Sequence, residues 1–561
     1  MPACATPKTI ADQATIRNLF LPVPDTDFRD YLAEVDDLAR FAPEIITAIE
    51  ADLDLHAREK KSLRLADRKS HESKTRDIPC LGVKDREIRI EDLSLADGRP
   101  RMPAKAFHMF LMLRGFLGSI SAQQAVCFLH ESISMYAWLQ ERGLEMPGVS
   151  TVLDNINAVS HTTRELICNR QIARIIGEDL DDFQKQTIDS TAVKANSCWP
   201  TDSTTLTGLL TRVYRLGQKL DTFGLRNFTK GCVPRWLEEM DKQVFQIALA
   251  AGKPNAKTKF HQQYRQLLAR GKKARAALEK QFASFEQDLQ LNAFAPSQRI
   301  QIGRVVEQLR SDLSDAGRVI QYTHERIFEQ KTLPSKEKVL SLSDGSAAFI
   351  QKGNREPVIG YKPQLVRSEN GFVTSLMVPE GNPADASMLV PAITDAMART
   401  GVIASIVSTD DGYASAKGRD KLLELGVKTI SISGAKGKKL TASEDWDSED
   451  YKDARRCRSA VESLMFTIKD GFAFGELGRR GIKAVRDELF EKGLAYNCCR
   501  TILIRKRRQD ALERAARNAA DITTKTTLTA LLCQKLASDW THRAPAARRR
   551  HDNRRASAIH S

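Results

Sequence analysis

The order of strand-forming and helix-forming segments between residues 185 and 470 constrains this fold more than any other feature. Residues 184–193 are rich in β-branched side chains and predict a short strand, after which helical periodicity runs almost without a break from Leu206 to about Gln330. Strand patterns then return in close order, with turn signals such as Asp344-Gly345 between them. A long helical block is therefore expected to separate the first strand from the others.

The returning strands predict an antiparallel meander followed by an α/β layer. The meander is expected at Val339–Leu342, Ala347–Gln351, Val358–Val366 and Gly371–Val378. The later pattern alternates as helix Asp385–Arg399, strand Val402–Thr409, helix Ala414–Leu425 and strand Val427–Ser433, which indicates parallel strands. This is the element order of an RNase H-like mixed sheet, so we predict an α/β fold with a helical N-terminal domain and a long helical insertion.

The length predicts several folding units, because 561 residues are too many for one ordinary hydrophobic core. Short helices with tight turns at 100–180 are compatible with a helix-turn-helix-like DNA-binding domain or with a dimerisation bundle. The hydrophobic periodicity does not distinguish between these two. The polar segment Lys60–Arg76 is expected to be a loose linker. The predicted domains are an N-terminal helical extension and linker at 1–99, a helical DNA-binding or dimerisation domain at 100–180, a catalytic domain at 181–204 and 336–480, a helical insertion at 205–335, and C-terminal helices with a basic tail at 481–561.

Charge and cysteine usage restrict the class of protein. The 86 Lys and Arg residues exceed the 71 Asp and Glu residues and give a net charge of +15, which favours an anionic partner without proving one. The 10 cysteines include no CxxC pair, so neither a zinc module nor a disulfide framework is indicated. Asp12, Arg17 and Asp25 interrupt any signal-peptide pattern, and we expect a soluble chain with reduced thiols.

A carboxylate flanked by cations stands on a predicted late helix. Around a helix, Arg458 and Lys469 lie within about 40° of Glu462, beside an apolar stripe that includes Val461 and Leu464. Such a face suits metal-assisted chemistry on a nucleic acid. A solvent-exposed helix stabilised by an ordinary i,i+4 ion pair is the alternative.

Three acids are placed where a sheet of this kind would bring them together. Active residues of α/β sheets gather where neighbouring strands end, and Asp189 and Asp410 stand on or just after predicted strands, with Glu462 on the helix. Three such acids can hold two Mg²⁺ ions roughly 4 Å apart, since hard oxygen ligands suit this metal. Each acid also has a structural explanation: in Asp410-Asp411-Gly412-Tyr413, for example, either acid could cap the next helix.

These motifs resemble those of the DDE transposases of bacterial insertion sequences, in the group whose last acid lies in a Tyr-x2-Arg-x3-Glu-x6-Lys signature. Arg458, Glu462 and Lys469 match the last three positions of that signature. Residues 410–413 resemble the Asp-x-Gly-Tyr/Phe motif of the second acid, which selects Asp410, and residues 189–191 resemble the segment of the first acid.

The sequence departs from that pattern in two places. Arg455 stands where the group has tyrosine, so its charge can replace a DNA contact while stacking is weakened. The long helical block lies between the first acid and the meander, whereas better-known members carry their insertion between the second and third acids. We therefore infer no function for the helical block of this chain from the resemblance.

The resemblance implies a transposase with an RNase H-like catalytic domain that binds terminal inverted repeats, cleaves DNA and transfers strands. Asp189, Asp410 and Glu462 would be the catalytic metal ligands for two Mg²⁺ ions, with Mn²⁺ able to substitute. The implied DNA-binding residues are Arg455, Arg458 and Lys469. The implied partners are double-stranded DNA of the terminal repeats and of the target, and a second copy of the chain in a synaptic homodimer. No membrane is implied, and the expected location is the bacterial cytoplasm, with the nucleoid.

Two other functions remain open from the sequence. A transposase-derived DNA-binding protein without catalysis would not need the acid triad, and a host RNase H-like nuclease would cut without transferring strands. Matching inverted repeats on both sides of the coding region would favour transposition, whereas a position inside a host operon would favour the other two.

Overall fold

The structure, a computed structural model, describes residues 28–75, 90, 93–95, 102–119, 121–145, 148–155, 157–197, 199–224, 231–351, 353 and 356–556. Asp12, Arg17 and Asp25, on which the expectation about a signal peptide depends, lie outside these residues. The chain divides into two compact units, Met1–Arg500 and Thr501–Ser561. None of the described helices combines the length and the apolar composition that crossing a bilayer requires.

Helices make up the described N-terminal part of the chain. They are α1 Phe28–Phe41, α2 Glu44–Thr75, α3 Ala104–Phe116, α4 Ala122–Glu131, α5 Ile133–Glu141, α6 Val149–Asn155 and α7 His161–Gly177. The prediction of a loose linker at Lys60–Arg76 is wrong as far as Thr75, because α2 continues through it. One stabilising contact comes from the insertion, where the backbone N–H of Ser297 donates to Asp67 Oδ1 over 2.9 Å.

The predicted helical insertion is present as a bundle of long helices. After the short strands β1 Lys185–Ser190 and β2 Val193–Lys194 come α8 Asp202–Asp221, α9 Val233–Ala250, α10 Lys257–Asp288 and α11 Pro296–Phe328. These helices share a hydrophobic core that includes Leu209, Leu267 and Leu309, all fully buried. The bundle therefore has its own core beside the sheet.

The predicted meander is wrong in two respects. Four strands follow the insertion: β3 Ala348–Ile350, β4 Val358–Tyr361, β5 Gln364–Ser368 and β6 Val373–Met377. Residues 339–342 form no strand, because Val339 and Leu342 pack against the core of the insertion instead. The predicted strand Val358–Val366 is divided near Pro363, which has no N–H to donate to a ladder, and its halves join different sheets.

The remaining elements complete a mixed sheet of the RNase H type. They are α12 Asp385–Thr400, β7 Ile406–Thr409, α13 Ala416–Glu424, β8 Thr429–Ile432, α14 Ala435–Leu440, α15 Ser443–Trp446, α16 Glu449–Gly471 and α17 Ile482–Ala556. The main sheet has the order β6-β5-β1-β7-β8, in which β5 is antiparallel to β1, whereas β7 is parallel to β1 and β8 to β7. The smaller sheet has the order β2-β4-β3. The α/β prediction is confirmed.

The two faces of the main sheet are covered by different helices. On one face Ile188 and Val407 pack with Leu389 and Ile393 of α12 in a fully buried cluster. On the other face α16 crosses the sheet, and contacts β1, β7 and β8. Side chains alternate between these faces along each strand, so the register decides which helix each one meets.

Helix α3 approaches the first part of α17 closely enough to require a glycine. A Cβ placed at Gly115 would lie 2.2 Å from the carbonyl oxygen of Glu491, so two backbones would have to move apart. We expect Gly115→Ala to destabilise the first unit by about 1–3 kcal/mol through overpacking. Thermal unfolding measures the effect. Gly303→Ala in α11 is the control: its Cβ meets nothing within 4 Å, and removing a helical glycine should stabilise slightly.

A buried ionic cluster lies at the same contact. The fully buried carboxylate of Glu491 on α17 accepts hydrogen bonds from Nε and Nη2 of Arg164 on α7, over 3.0 and 2.7 Å. Arg114 Nη1 of α3 lies 3.5 Å from Glu491 Oε2, and Arg479 Nη2 lies 3.4 Å from Oε1. One carboxylate thus connects the N-terminal helices to the helix that follows the sheet.

Candidate active site

The register of two parallel strands places the first two predicted acids side by side. Thr187 of β1 is paired with Ser408 of β7, and continuing that register by two residues sets Asp189 opposite Asp410. Neighbouring strands are about 4.8 Å apart, so both carboxylates start from adjacent positions at the carboxyl ends of their strands. Residues that are far apart in sequence are thereby brought to one edge of the sheet.

Both acids lie on the face of the sheet that α16 covers. Two residues on this face contact α16 directly: Lys185 Nζ lies 3.1 Å from Asp453 Oδ2, and Ser408 Oγ donates to the carbonyl oxygen of Ala454 over 2.7 Å. The acids are an even number of residues beyond Lys185 and Ser408, and strand alternation therefore directs them to the same side. The helix that carries the third predicted acid is the one that covers this face.

Asp410 and Asp411 have different partners. Asp411 Oδ1 accepts the backbone N–H groups of Lys436 and Gly437 at the start of α14, over 2.8 and 2.9 Å. Asp410 Oδ1 accepts only the nearby N–H of Gly412, over 2.9 Å, among the hydrogen bonds described for it. Asp411 therefore caps a helix, which supports the choice of Asp410 as the acid of the site.

The cap on α14 keeps a group of lysines next to the strand ends. Gly434, which precedes α14, has a φ of 114°, and a Cβ there would lie 2.6 Å from Asp411 Cγ. The side chains of Lys436, Lys438 and Lys439 that follow are exposed. The carboxylate of Asp411 thus fixes the start of a helix that carries three exposed cations.

A further acid, which the sequence did not reveal as a site residue, stands at the start of α12. A Cβ placed at Gly412 would lie 3.1 Å from Asp410 Oδ1 and 3.4 Å from Asp385 Oδ2, so the two carboxylates are neighbours. Burial raises the pKa of Tyr413, and the negative charges of Asp385, Asp189 and Asp410 raise it further. The charges of three carboxylates therefore act on one tyrosine hydroxyl at this edge of the sheet.

Asp385 is held in place by a network of its own. Lys362 Nζ lies 2.9 Å from Asp385 Oδ1, and Gln364 Nε2 donates to the same oxygen over 3.2 Å. Gln364 in turn accepts the hydroxyl of Tyr413. Burial raises the pKa of Asp385, but the hydrogen bond and the charge of Lys362 outweigh it and hold this pKa below its ordinary value. In the sequence, Asp385 resembled an ordinary acid of a first helical turn, because it stands at the start of a predicted helix.

Glu462 lies on α16, as predicted, but its carboxylate points into solvent. Its side chain is 66% exposed, and Arg458 Nη2 donates to its Oε1 over 3.3 Å. Within the described ranges, no group of three or more His, Cys, Asp or Glu side chains is placed so as to hold a metal ion. The structure thus aligns the two strand acids, and leaves Glu462 in the exposed ion pair that was the alternative explanation of this motif.

The remaining predicted DNA contacts are also on α16. The Arg455 guanidinium stacks over the rings of Trp446 and Tyr451, at 4.4 and 5.4 Å from their centroids, and donates to the carbonyl oxygen of Trp446. Tyr451 is itself buried and bonded to the end of β8, where the N–H of Ile432 donates to its hydroxyl. Lys469 lies in the last turn of α16 and is partly exposed. Arg455 therefore has aromatic partners within the chain.

A comparison with protein families agrees with this geometry. The family model for the transposase DDE domain matches residues 321–498, a span that begins in α11, includes Asp410 and Glu462, and ends in α17. Asp189 on β1 lies outside the matched span, beyond the helical insertion. No curated protein and no solved structure matches the chain. The chain therefore carries a transposase DDE domain, of a family that cleaves and joins DNA and generally works with divalent metal ions.

Proposed function

We propose that this protein is an insertion-sequence transposase that binds terminal inverted repeats, cuts at the ends of its element and joins the freed 3′-hydroxyls to target DNA. The observation that supports the proposal is the parallel register of β1 and β7, whose continuation sets Asp189 opposite Asp410 on the face of the sheet covered by α16. Asp410 lies in the span that the family model matches, and Asp189 lies before it on β1.

The donor set fits a hard divalent cation. Asp189 and Asp410 offer carboxylate oxygens from neighbouring backbone positions, and Mg²⁺ prefers oxygen ligands, as Mn²⁺ can. Glu462 would complete the set from α16 by exchanging its ion pair with Arg458, which is exposed and therefore weak. Bound there, two such ions would supply a more acidic attacking water or 3′-hydroxyl and a stabilised leaving oxygen.

Cations of the same helix would hold the DNA backbone. Arg458 and Lys469 flank Glu462 on α16, and in the proposed complex they neutralise the phosphates next to the cut. Arg455 would contribute its positive charge to DNA binding from a fixed position, because its guanidinium is already stacked on Trp446. The exposed lysines of α14 extend the positive surface beyond the strand ends.

The proposed reaction needs two element ends at once. We therefore propose that the chain acts as a homodimer on terminal-repeat and target DNA, at the nucleoid in the bacterial cytoplasm. The test is cleavage of a duplex that carries the inverted repeat bordering the coding region, by the purified full chain with and without Mg²⁺. Cleavage without strand transfer would favour a host nuclease, and binding without cleavage would favour a DNA-binding derivative.

Replacing Glu462 with glutamine should leave folding and DNA binding intact and abolish Mg²⁺-dependent cleavage. The side chain is mostly exposed and its ion pair is worth little to stability, so the change removes a metal ligand and hardly anything else. Gel-shift and cleavage assays on the same duplex measure both properties.

The matched control for that experiment is Glu449→Gln on the same helix. Glu449 is also exposed and also paired with a cation, Lys452, over 2.9 Å, but it lies in the first turn of α16. It should cut like the parent. A Glu462→Gln protein that cuts as fast as the Glu449→Gln protein would remove Glu462 from the site.

A further inference from the structure

Helix α16 exposes a large aromatic side chain that its packing does not explain. Phe466 is 72% exposed, the highest fraction among the large apolar side chains described for this chain. The apolar residues that anchor α16 lie on its other side, where Val461, Leu464 and Ile468 are buried. An exposed phenyl ring offers a flat apolar face on which another ring can stack.

Phe466 stands one helical turn after Glu462. Residues four apart on a helix lie on the same face, about 40° from each other, and both of these side chains point outward. Arg458 is a turn before Glu462 on this face, and Lys469 is three residues after Phe466. The exposed ring is therefore part of the surface that the proposed function assigns to DNA near the cut.

The surroundings of the ring fit a nucleotide better than a protein surface. Ser459, Ser463 and Asp470, which are its exposed neighbours on α16, are polar, so the ring is not part of an apolar patch. The centres of protein interfaces are apolar and poor in charge. Glu462 and Asp470 lie one turn away on either side of the ring, and Arg458 and Lys469 supply cations on the same helix. A single ring in such a polar surface suits single-stranded or frayed DNA, whose bases stack on aromatic rings while cations meet the phosphates.

We propose that Phe466 stacks on a base next to the scissile phosphate and so positions that strand for cleavage. This inference rests on the proposed function and adds to it a DNA-positioning residue outside the acid set. The ring supplies stacking that charge cannot, because every base has a π-face. Arg455 is engaged with Trp446, so its guanidinium face is already used within the chain.

The test compares Phe466→Ala with Phe466→Trp and with Phe245→Ala. Phe245 on α9 of the insertion is similarly exposed, at 62%, and far along the chain from the acids, so it is the matched control. The probe is the inverted-repeat duplex with 2-aminopurine in place of each base next to the cut in turn. Fluorescence is read without divalent ions, and cleavage is then started with Mg²⁺.

We expect a fluorescence change at one position with the parent, Phe466→Trp and Phe245→Ala proteins, and none with Phe466→Ala. Cleavage by Phe466→Ala should be about tenfold slower or more, because stacking of one base on a ring is typically worth that much. Thermal unfolding should be the same for Phe466→Ala and Phe245→Ala, since both rings are exposed.

Three outcomes would overturn the inference. If Phe466→Ala gives the parent's signal and rate, the ring does not hold a base, while the proposed function stands. If the parent protein neither binds nor cuts the repeat duplex, both proposals fall together. If Phe466→Ala changes the sedimentation of the DNA-free chain but neither DNA readout, the ring contacts a second copy instead.

Discussion

Replacing Asp410 with asparagine should reduce DNA cleavage at least about a thousandfold and leave the protein folded. Asparagine keeps an oxygen that can accept the N–H of Gly412, so the turn after β7 is preserved. The negative charge is lost, however, and with it the proposed ability to share a divalent cation with Asp189. Such a cation contributes several kcal/mol of transition-state stabilisation, which corresponds to a rate factor of about this size. Single-turnover cleavage of the repeat duplex measures the effect.

The adjacent acid provides the control for this experiment. Asp411→Asn makes the same chemical change one residue later, and its amide oxygen can still accept the N–H groups of Lys436 and Gly437. We expect this variant to cut at close to the parent's rate and to melt at a similar temperature. The reverse result, with Asp411→Asn inactive and Asp410→Asn active, would move the site acid from Asp410 to Asp411.

The elements of the main sheet were largely predictable from local patterns. The apolar run that ends at Thr409 predicted both β7 and an acid at its carboxyl end, because strands of this kind are buried and close at polar residues. The pairing of β1 with β7 was not predictable by periodicity, since the helical insertion separates them and the register depends on contacts far apart in sequence. The element order of the predicted sheet, and then the resemblance to transposases, joined Asp189 to Asp410 in the sequence.

Tertiary packing accounts for what the sequence did not reveal. Val339 and Leu342 are residues typical of strands, but in the folded chain they pack against the hydrophobic core of the insertion instead of joining a sheet. Asp385 resembled a helix-start residue, and only the folded chain shows it beside Asp410. Glu462 was placed on the correct helix, whereas its distance from the strand acids depends on how α16 lies on the sheet, which no periodicity specifies.

The largest effect on stability is expected at Glu491. Its carboxylate is fully buried among Arg164, Arg114 and Arg479, and Glu491→Gln would remove the counter-charge that these three guanidinium groups share, although Arg164 keeps Asp487 at 3.8 Å. Burial lowers the pKa of Arg114 to about 10, which still leaves that side chain protonated at neutral pH. Breaking a buried ion pair from one side typically costs about 3–5 kcal/mol. The shift in the urea midpoint of the first unit, followed by circular dichroism, measures this loss.

The same carboxylate makes the stability depend on pH in a defined range. Burial raises the pKa of Glu491, but the charges of Arg479, Arg114 and Arg164 outweigh it and hold the pKa at about 2, below the ordinary value of 4.5. A group with a lowered folded-state pKa stabilises the fold above its unfolded pKa, and that contribution is lost as the pH falls from about 4.5 towards 2.

The unfolding free energy of the parent should therefore fall across this range more steeply than that of Glu491→Gln, which has no proton to take up at this position. Glu513→Gln, on the exposed part of the same helix, removes a surface pair with Arg517 and should keep the parent's slope. Equal slopes for the parent and Glu491→Gln would show that the carboxylate is not held ionised by its three arginines. The carboxyl group of Glu491 would then be protonated in the folded chain. The contacts among α3, α7 and α17 at this cluster would be stabilised by packing alone.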